Sequence, residues 1–206
     1  MIILLLAGFP FLTGSAQFKV TVKGGVTAQL APVYDMNYGN IRVEPERTTG
    51  FGYHFGLSGY FGNGTVFFQP EIQYESVSFD YIVIYEHARN IVKQEIDKLY
   101  FPMLVGIQFD IGRIYFGPSL SLRTEPPTPL ISDPLFAKLY RKECLEYNVG
   151  FGVDVLKYID IEIRYRAYLG KHYESIQKIG YQTITLNKSN SSILLTVGIS
   201  LSPRSK

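Results

Sequence analysis

The chain has no tryptophan, one cysteine (Cys144), three histidines and three methionines in 206 residues. A lone cysteine cannot close an internal disulfide or build a cysteine-based zinc cage. Charge is scarce too: Asp, Glu, Lys and Arg make up 18 % of the residues, against roughly 25 % in an average soluble domain. The net charge is only +2, and no basic stripe is interleaved with aromatics, so nothing here addresses nucleic acid. Long apolar runs are missing beyond Leu12: no later window approaches the ~18 consecutive apolar residues of a membrane-spanning helix. The run that does exist, Met1–Leu12, is itself too short to span a bilayer. It leads into the small residues Thr13-Gly14-Ser15-Ala16-Gln17, and residues 1–17 read as a secretory signal peptide cleaved near Ala16. Residues 18–206 are then the mature domain.

What the chain does have is tyrosine, phenylalanine and glycine, at 16, 14 and 19 residues, arranged by parity. In Gly50–Phe61 the residues Phe51, Tyr53, Phe55, Leu57 and Phe61 share one parity; Gly50, Gly52, His54, Gly56 and Ser58 hold the other. Successive side chains of a β-strand point to opposite faces, so this stretch has one aromatic face and one small or polar face. Seven further stretches alternate in the same way: Phe18–Leu30, Thr65–Ser76, Lys98–Phe109, Arg113–Arg123, Leu145–Val155, Ile159–Gly170 and Ser192–Leu201. Each is about as long as a tilted membrane-spanning strand requires.

The connectors between these strands alternate in length. Gly62-Asn63-Gly64, Asp110-Ile111-Gly112 and Leu156-Lys157-Tyr158 are tight turns, whereas 31–49, 77–97, 124–144 and 171–191 are long and polar or proline-rich. Structureless loops of that length are uncommon in a compact soluble domain. Short turns on one side and long loops on the other are the habit of outer-membrane barrels. The expectation is an all-β fold: an eight-stranded antiparallel up-and-down transmembrane β-barrel with four long outer loops and three short periplasmic turns. Pro70, Pro102 and Pro118 fall inside strands, each removing a ladder donor, and local bulges are expected there.

A soluble ligand-binding barrel would turn the apolar parity inward. That would leave glycine and serine on its exterior, where a crowded interior makes better use of them. With the apolar parity outward, Glu71, Glu75, Asp154, Glu162, Arg164, Arg166, Lys19, Lys23 and His54 all face the lumen. Charges in a narrow, low-dielectric lumen need partners, so these residues are expected to form a connected ion-pair network that fills it.

Several stretches carry a family likeness: Ser15-Ala16-Gln17, Leu99-Tyr100-Phe101-Pro102-Met103-Leu104-Val105-Gly106, and Tyr115-Phe116-Gly117-Pro118-Ser119-Leu120. Gly150-Phe151-Gly152-Val153-Asp154 leading into Ile161-Glu162-Ile163-Arg164-Tyr165 completes the set. Together they resemble the PorT-like outer-membrane β-barrel family of Bacteroidota. In that family an aliphatic-Pro-Leu-Leu strand, a Gly-Pro strand and a Gly-x-Gly…Glu-x-Arg-Tyr hairpin recur in this order. The resemblance implies an outer-membrane location in a Gram-negative cell and, for named members, a link to secretion by the type IX system.

No residue set reads as catalytic, and no cofactor or metal is expected. His54 and Ser58 share a face but lie about 13 Å apart along a strand at 3.3 Å per residue, too far for a nucleophile–base pair. His87 and His172 fall in expected outer loops. Partners are expected to be outer-membrane lipid and a protein bound at the long outer loops. There Pro126-Pro127-Thr128-Pro129 adds stiffness, and Tyr81, Tyr85, Tyr140 and Tyr173 offer a rim. The alternative reading is a lipid- or ligand-processing barrel enzyme.

Overall fold

Alternation becomes strand pairing along nearly the whole described chain. The computed structural model describes residues 17–30, 36–38, 41–46, 49–62, 65–85, 88–123, 143–156, 158–169, 178–179, 182–183 and 191–201. The strands are β1 (Gln17–Gln29), β2 (Met36–Tyr38), β3 (Ile41–Pro45), β4 (Gly50–Gly62), β5 (Val66–Tyr85) and β6 (Ala88–Gln108). They continue as β7 (Gly112–Arg123), β8 (Glu143–Leu156), β9 (Ile159–Tyr168), β10 (Lys178–Ile179), β11 (Gln182–Thr183) and β12 (Ser191–Ser200).

Eight of these close a ring in which every neighbour is antiparallel: β1, β4, β5, β6, β7, β8, β9, β12 and back to β1. Closure leaves the ring without an edge strand. Stepping across the ladder from Gln17 passes Gly62, Phe67, Gly106, Tyr115, Gly150, Arg164 and Leu194 and returns to β1 at Thr27. That offset of ten residues in eight strands tilts each strand by about 40° to the barrel axis. The signal segment lies outside the described residues.

The parities fall as a membrane barrel needs them. Phe51, Phe55, Phe116, Phe151, Ile163, Leu195 and Ile199 are exposed on the outer surface; Lys23, His54, Glu71, Glu75, Glu162, Arg164 and Arg166 are buried inside. A soluble barrel would require the reverse. Towards the short-turn end the interior holds a small apolar cluster, with Phe67, Leu104 and Tyr115 packed together and Tyr60 stacked on Phe67 at 5.0 Å. The Asp110-Ile111 turn is closed by Phe109 and Gly112, which exchange backbone hydrogen bonds of 2.9 and 3.3 Å.

Three expectations need correction. Residues 77–97 are not a loop, because β5 and β6 run on past the barrel as one hairpin, paired continuously from Gln73↔Tyr100 to Tyr85↔Ala88. β3 adds to the outer half of β5, from Ile41↔Tyr85 to Pro45↔Tyr81, and β2 pairs with β3. The alternation had not stopped at Ser76; its polarity had reversed. Tyr81 is consequently fully buried rather than exposed on a rim, and the side chain of Tyr85 as well as Tyr140 and Tyr173 lie outside the described residues. Within 171–191, β10 and β11 pair as a short ladder. Of 124–144 only the end of β8 is described.

The prolines do not make bulges. Pairing lapses at Gly59–Tyr60 opposite Gln69–Pro70, at Glu71–Ile72 opposite Phe101–Pro102, and at Met103–Leu104 opposite Gly117–Pro118, with the register unchanged on either side. In an antiparallel ladder one N–H closes the pair it belongs to and helps define the next, so removing it interrupts two pairs without shifting the strand. The register shift in the wall lies elsewhere, between Asp154 and Leu156 on β8.

Candidate functional site: the charged interior

Beside the apolar cluster, the inward residues of β1, β5, β7 and β9 meet in one charged cluster. Lys23 Nζ lies 2.7 Å from Glu71 Oε1 and 2.7 Å from Glu162 Oε1, with no exposure on any of the three side chains beyond 1 %. Arg164 grips Glu71 with both terminal nitrogens, Nη1 to Oε2 at 2.7 Å and Nη2 to Oε1 at 2.9 Å. This is the planar fork that matches a carboxylate. Arg164 also reaches Glu162 Oε2 at 3.3 Å. Arg113 donates to Glu162 and lies 3.0 Å from Asp160 Oδ1 and 3.4 Å from Asp154 Oδ1.

Neutral donors complete the carboxylates. Gln69 and Gln73 donate to Glu71 at 2.5 and 2.8 Å, and Tyr115 donates to Glu162 at 3.0 Å. Small residues leave the room. A Cβ on Gly150 would sit 2.4 Å from the Tyr115 ring, and one on Gly198 2.5 Å from Asp160 Oδ1.

A second cluster sits nearer the long-loop end. Arg166 bridges Glu75 Oε2 at 2.5 Å and Glu146 Oε2 at 3.1 Å, with its guanidinium carbon 3.8 Å from the centroid of the Tyr100 ring. Tyr100 donates to Glu75 at 3.0 Å, and so does Thr27 at 3.1 Å. Lys98 donates to the Tyr168 hydroxyl at 2.5 Å. His54 lies between two threonines, Nδ1 2.9 Å from Thr27 Oγ1 and Nε2 2.9 Å from Thr196 Oγ1. Its ring is thus held by hydroxyls at both nitrogens rather than by Ser58.

Of the nine lumen residues singled out from the sequence, eight meet in this interior, and seven of those sit in ion pairs. His54 joins the same interior through Thr27, which it shares with Glu75. Lys19 is half-buried at the short-turn end. Sequence reasoning did not include Arg113, Asp160, Glu146, Lys98, Tyr100 and Tyr115 in the network. Asp160 shares the parity of Glu162, Arg164 and Arg166, so extending the parity argument one step along β9 finds it. Tyr100 and Tyr115 are aromatic on an otherwise polar face, and their hydroxyls were the available signal.

No protein-family model and no curated protein matches the chain. Among solved structures, the chain is similar to Neisserial surface protein A, NspA, with 14 % identity over 90 % of this chain and 98 % of that one and a TM-score of 0.47. It is similar to the outer membrane protein OprG from Pseudomonas aeruginosa, with 9 % identity over 91 % and 98 % and a TM-score of 0.48. It is also similar to the outer membrane protein AlkL, determined by solid-state NMR in lipid bilayers, with 12 % identity over 97 % and 98 % and a TM-score of 0.51. At 12 % identity the likeness to AlkL is one of fold alone.

Proposed function

We propose that this chain is a small outer-membrane β-barrel protein whose lumen is closed by ion pairs and does not conduct, and that it serves as an anchored scaffold for a protein partner at its outer end. The observation that carries this reading is the cluster of Lys23, Glu71, Arg113, Glu162 and Arg164. It ties β1, β5, β7 and β9 together across the interior. Placing such charges outward in lipid would cost several kcal/mol each, on the order of 2–4 at mid-depth, so their inward placement beside an aromatic exterior supports a bilayer setting. The closed-barrel fold with its apolar exterior supports a location in the outer membrane of a Gram-negative cell. Partner binding is supported by the β5–β6 hairpin with β3 and β2 alongside, a platform standing clear of the ring.

The PorT-like resemblance adds the kind of partner, a component of a secretion complex. A catalytic role is disfavoured by His54, which is 2 % exposed and has hydroxyls at both ring nitrogens. Heat-modifiable mobility on a gel after reconstitution, with planar-bilayer recordings of the same sample, tests the core of this reading. A band that shifts on boiling and a bilayer without porin-like conductance steps are expected. A product that is fully soluble, or one with steady open-pore steps, would overturn it.

A further inference from the structure

Of the three proline lapses in the wall, the one between β4 and β5 coincides with a cleft. The lapsed pairs Gly59–Pro70 and Tyr60–Gln69 lie between Ser58↔Glu71 and Phe61↔Phe68. The lost donor is the one that position 70 would have aimed at the Gly59 carbonyl, so the ladder offers that carbonyl no N–H. Directly over it lies a shallow, open cleft of about 280 Å³ lined by Val20, Leu57, Ser58, Gly59, Pro70, Glu71 and Ile72. Leu57 and Ile72 are half-exposed on the outer surface, so the cleft opens toward lipid rather than lumen. The Glu71 side chain is turned inward onto Lys23 and Arg164 and Ser58 is buried, so the outward-facing side chains of the cleft are the apolar Val20, Leu57, Pro70 and Ile72.

Gly59 keeps the site open. A Cβ there would lie 3.3 Å from the Phe61 ring and 3.7 Å from Pro70 Cγ, so a larger side chain would occupy the space. A carbonyl without a partner is costly in hydrocarbon, where no water competes to satisfy it. A plain alkyl chain fills the cleft but leaves the carbonyl unpaired. A chain bearing a hydroxyl or amide N–H does both.

We propose that this cleft is a lipid-facing binding site for an acyl chain carrying a hydrogen-bond donor, with the donor bonded to the Gly59 carbonyl. The ligand chemistry is that of a hydroxylated or amide-bearing acyl chain, whether as a free fatty acid or as part of a membrane lipid. This rests on the membrane-barrel reading above, because the carbonyl needs such a ligand only where water is absent.

The test uses the full chain in phosphatidylcholine vesicles with Phe55→Trp as reporter. Phe55 lies outside the cleft on the same exposed face, and the chain has no other tryptophan to interfere. Brominated phosphatidylcholine quenches the reporter, and relief of quenching reads displacement. 3-Hydroxymyristate is expected to displace at concentrations about fivefold lower than myristate, the worth of one net hydrogen bond. A parallel arm replaces the free acids with lipids bearing 3-hydroxyacyl or plain acyl chains and identifies the source.

Pro70→Ala restores an N–H to the ladder and is expected to make hydroxylated and plain chains equal. Gly59→Leu keeps Pro70 but fills the cleft, and should end displacement by both. Equal displacement in the unsubstituted cleft in both arms, or a preference that survives Pro70→Ala or Gly59→Leu, overturns the site. Heat-modifiable mobility run on every sample separates that failure from failure of the barrel itself.

Discussion

The lower and upper halves of the β5–β6 hairpin follow the same alternation with opposite chemistry. In the barrel, β5 turns Gln69, Glu71, Gln73 and Glu75 inward; beyond it the same parity carries Val77, Phe79 and Tyr81, all buried. The outward parity changes at the same level on both strands. On β5 it passes from Ile72 and Tyr74 to Ser76, Ser78 and Asp80; on β6, from Met103, Phe101 and Leu99 to Asp97, Glu95 and Lys93. The last apolar outward pair is Tyr74↔Leu99 and the first polar one Ser76↔Asp97, directly registered across the ladder. A pleated strand has no preference of its own for which side is greasy. The surrounding solvent decides it, so in the proposed membrane setting the reversal marks where lipid ends and water begins.

The largest expected effect probes the polar interior of the lower half. Glu71→Ala removes the carboxylate shared by Lys23 and Arg164, leaving those two buried cations and Arg113 to share Glu162. It should cost about 3–5 kcal/mol, read as a fall in the urea midpoint of the vesicle-folded protein. A loss below 1 kcal/mol would mean that the interior is wetter than its burial indicates.

The sharpest test of the boundary places one substitution at two heights on one face of β6. Met103 and Ile91 are both apolar, share a parity and are exposed at 56 and 63 %. Met103→Arg is expected to cost about 2–4 kcal/mol, as for a charge on the lipid face near mid-depth. Ile91→Arg is expected to stay within about 0.5 kcal/mol, as on a water-facing surface. Equal costs in the same unfolding assay would erase the boundary. The smallest effect is in the outer half, where Lys93 and Glu95 form an exposed pair at 3.0 Å. Lys93→Ala should change stability by less than about 1 kcal/mol, and high salt should remove even that difference.

The ring was legible because its signal repeats: eight strands kept one parity apolar, and three tight turns separated alternate pairs. The inward charges followed from that parity alone. Residues 77–97 were misread because expecting one solvent throughout made Ser78 and Asp80 look like part of a loop. With Ser76 they form the polar side of a strand whose other side had become apolar. Arg113 was passed over at the strand margin beside the Asp110–Gly112 turn, yet a long guanidinium stem reaches from there into the cluster. The prolines were judged by the donor they remove, which is correct, but a single missing donor interrupts a ladder without changing its count. That distinction appears only when the register on both sides is known.

Lys23 and Glu162 are separated by 139 positions in sequence, and Thr21 and Ser200, joined across the closing seam, by 179. These contacts do not exist until the first and last strands meet. A half-assembled sheet placed in lipid would expose Lys23 on one strand and Glu162 on another, each without its counter-charge. The order of assembly is thereby constrained: the strands must curl toward one another before, or together with, their passage into the bilayer. Insertion and ring closure should consequently proceed as one slow, cooperative event, its rate set by how long the two ends of the chain take to find each other.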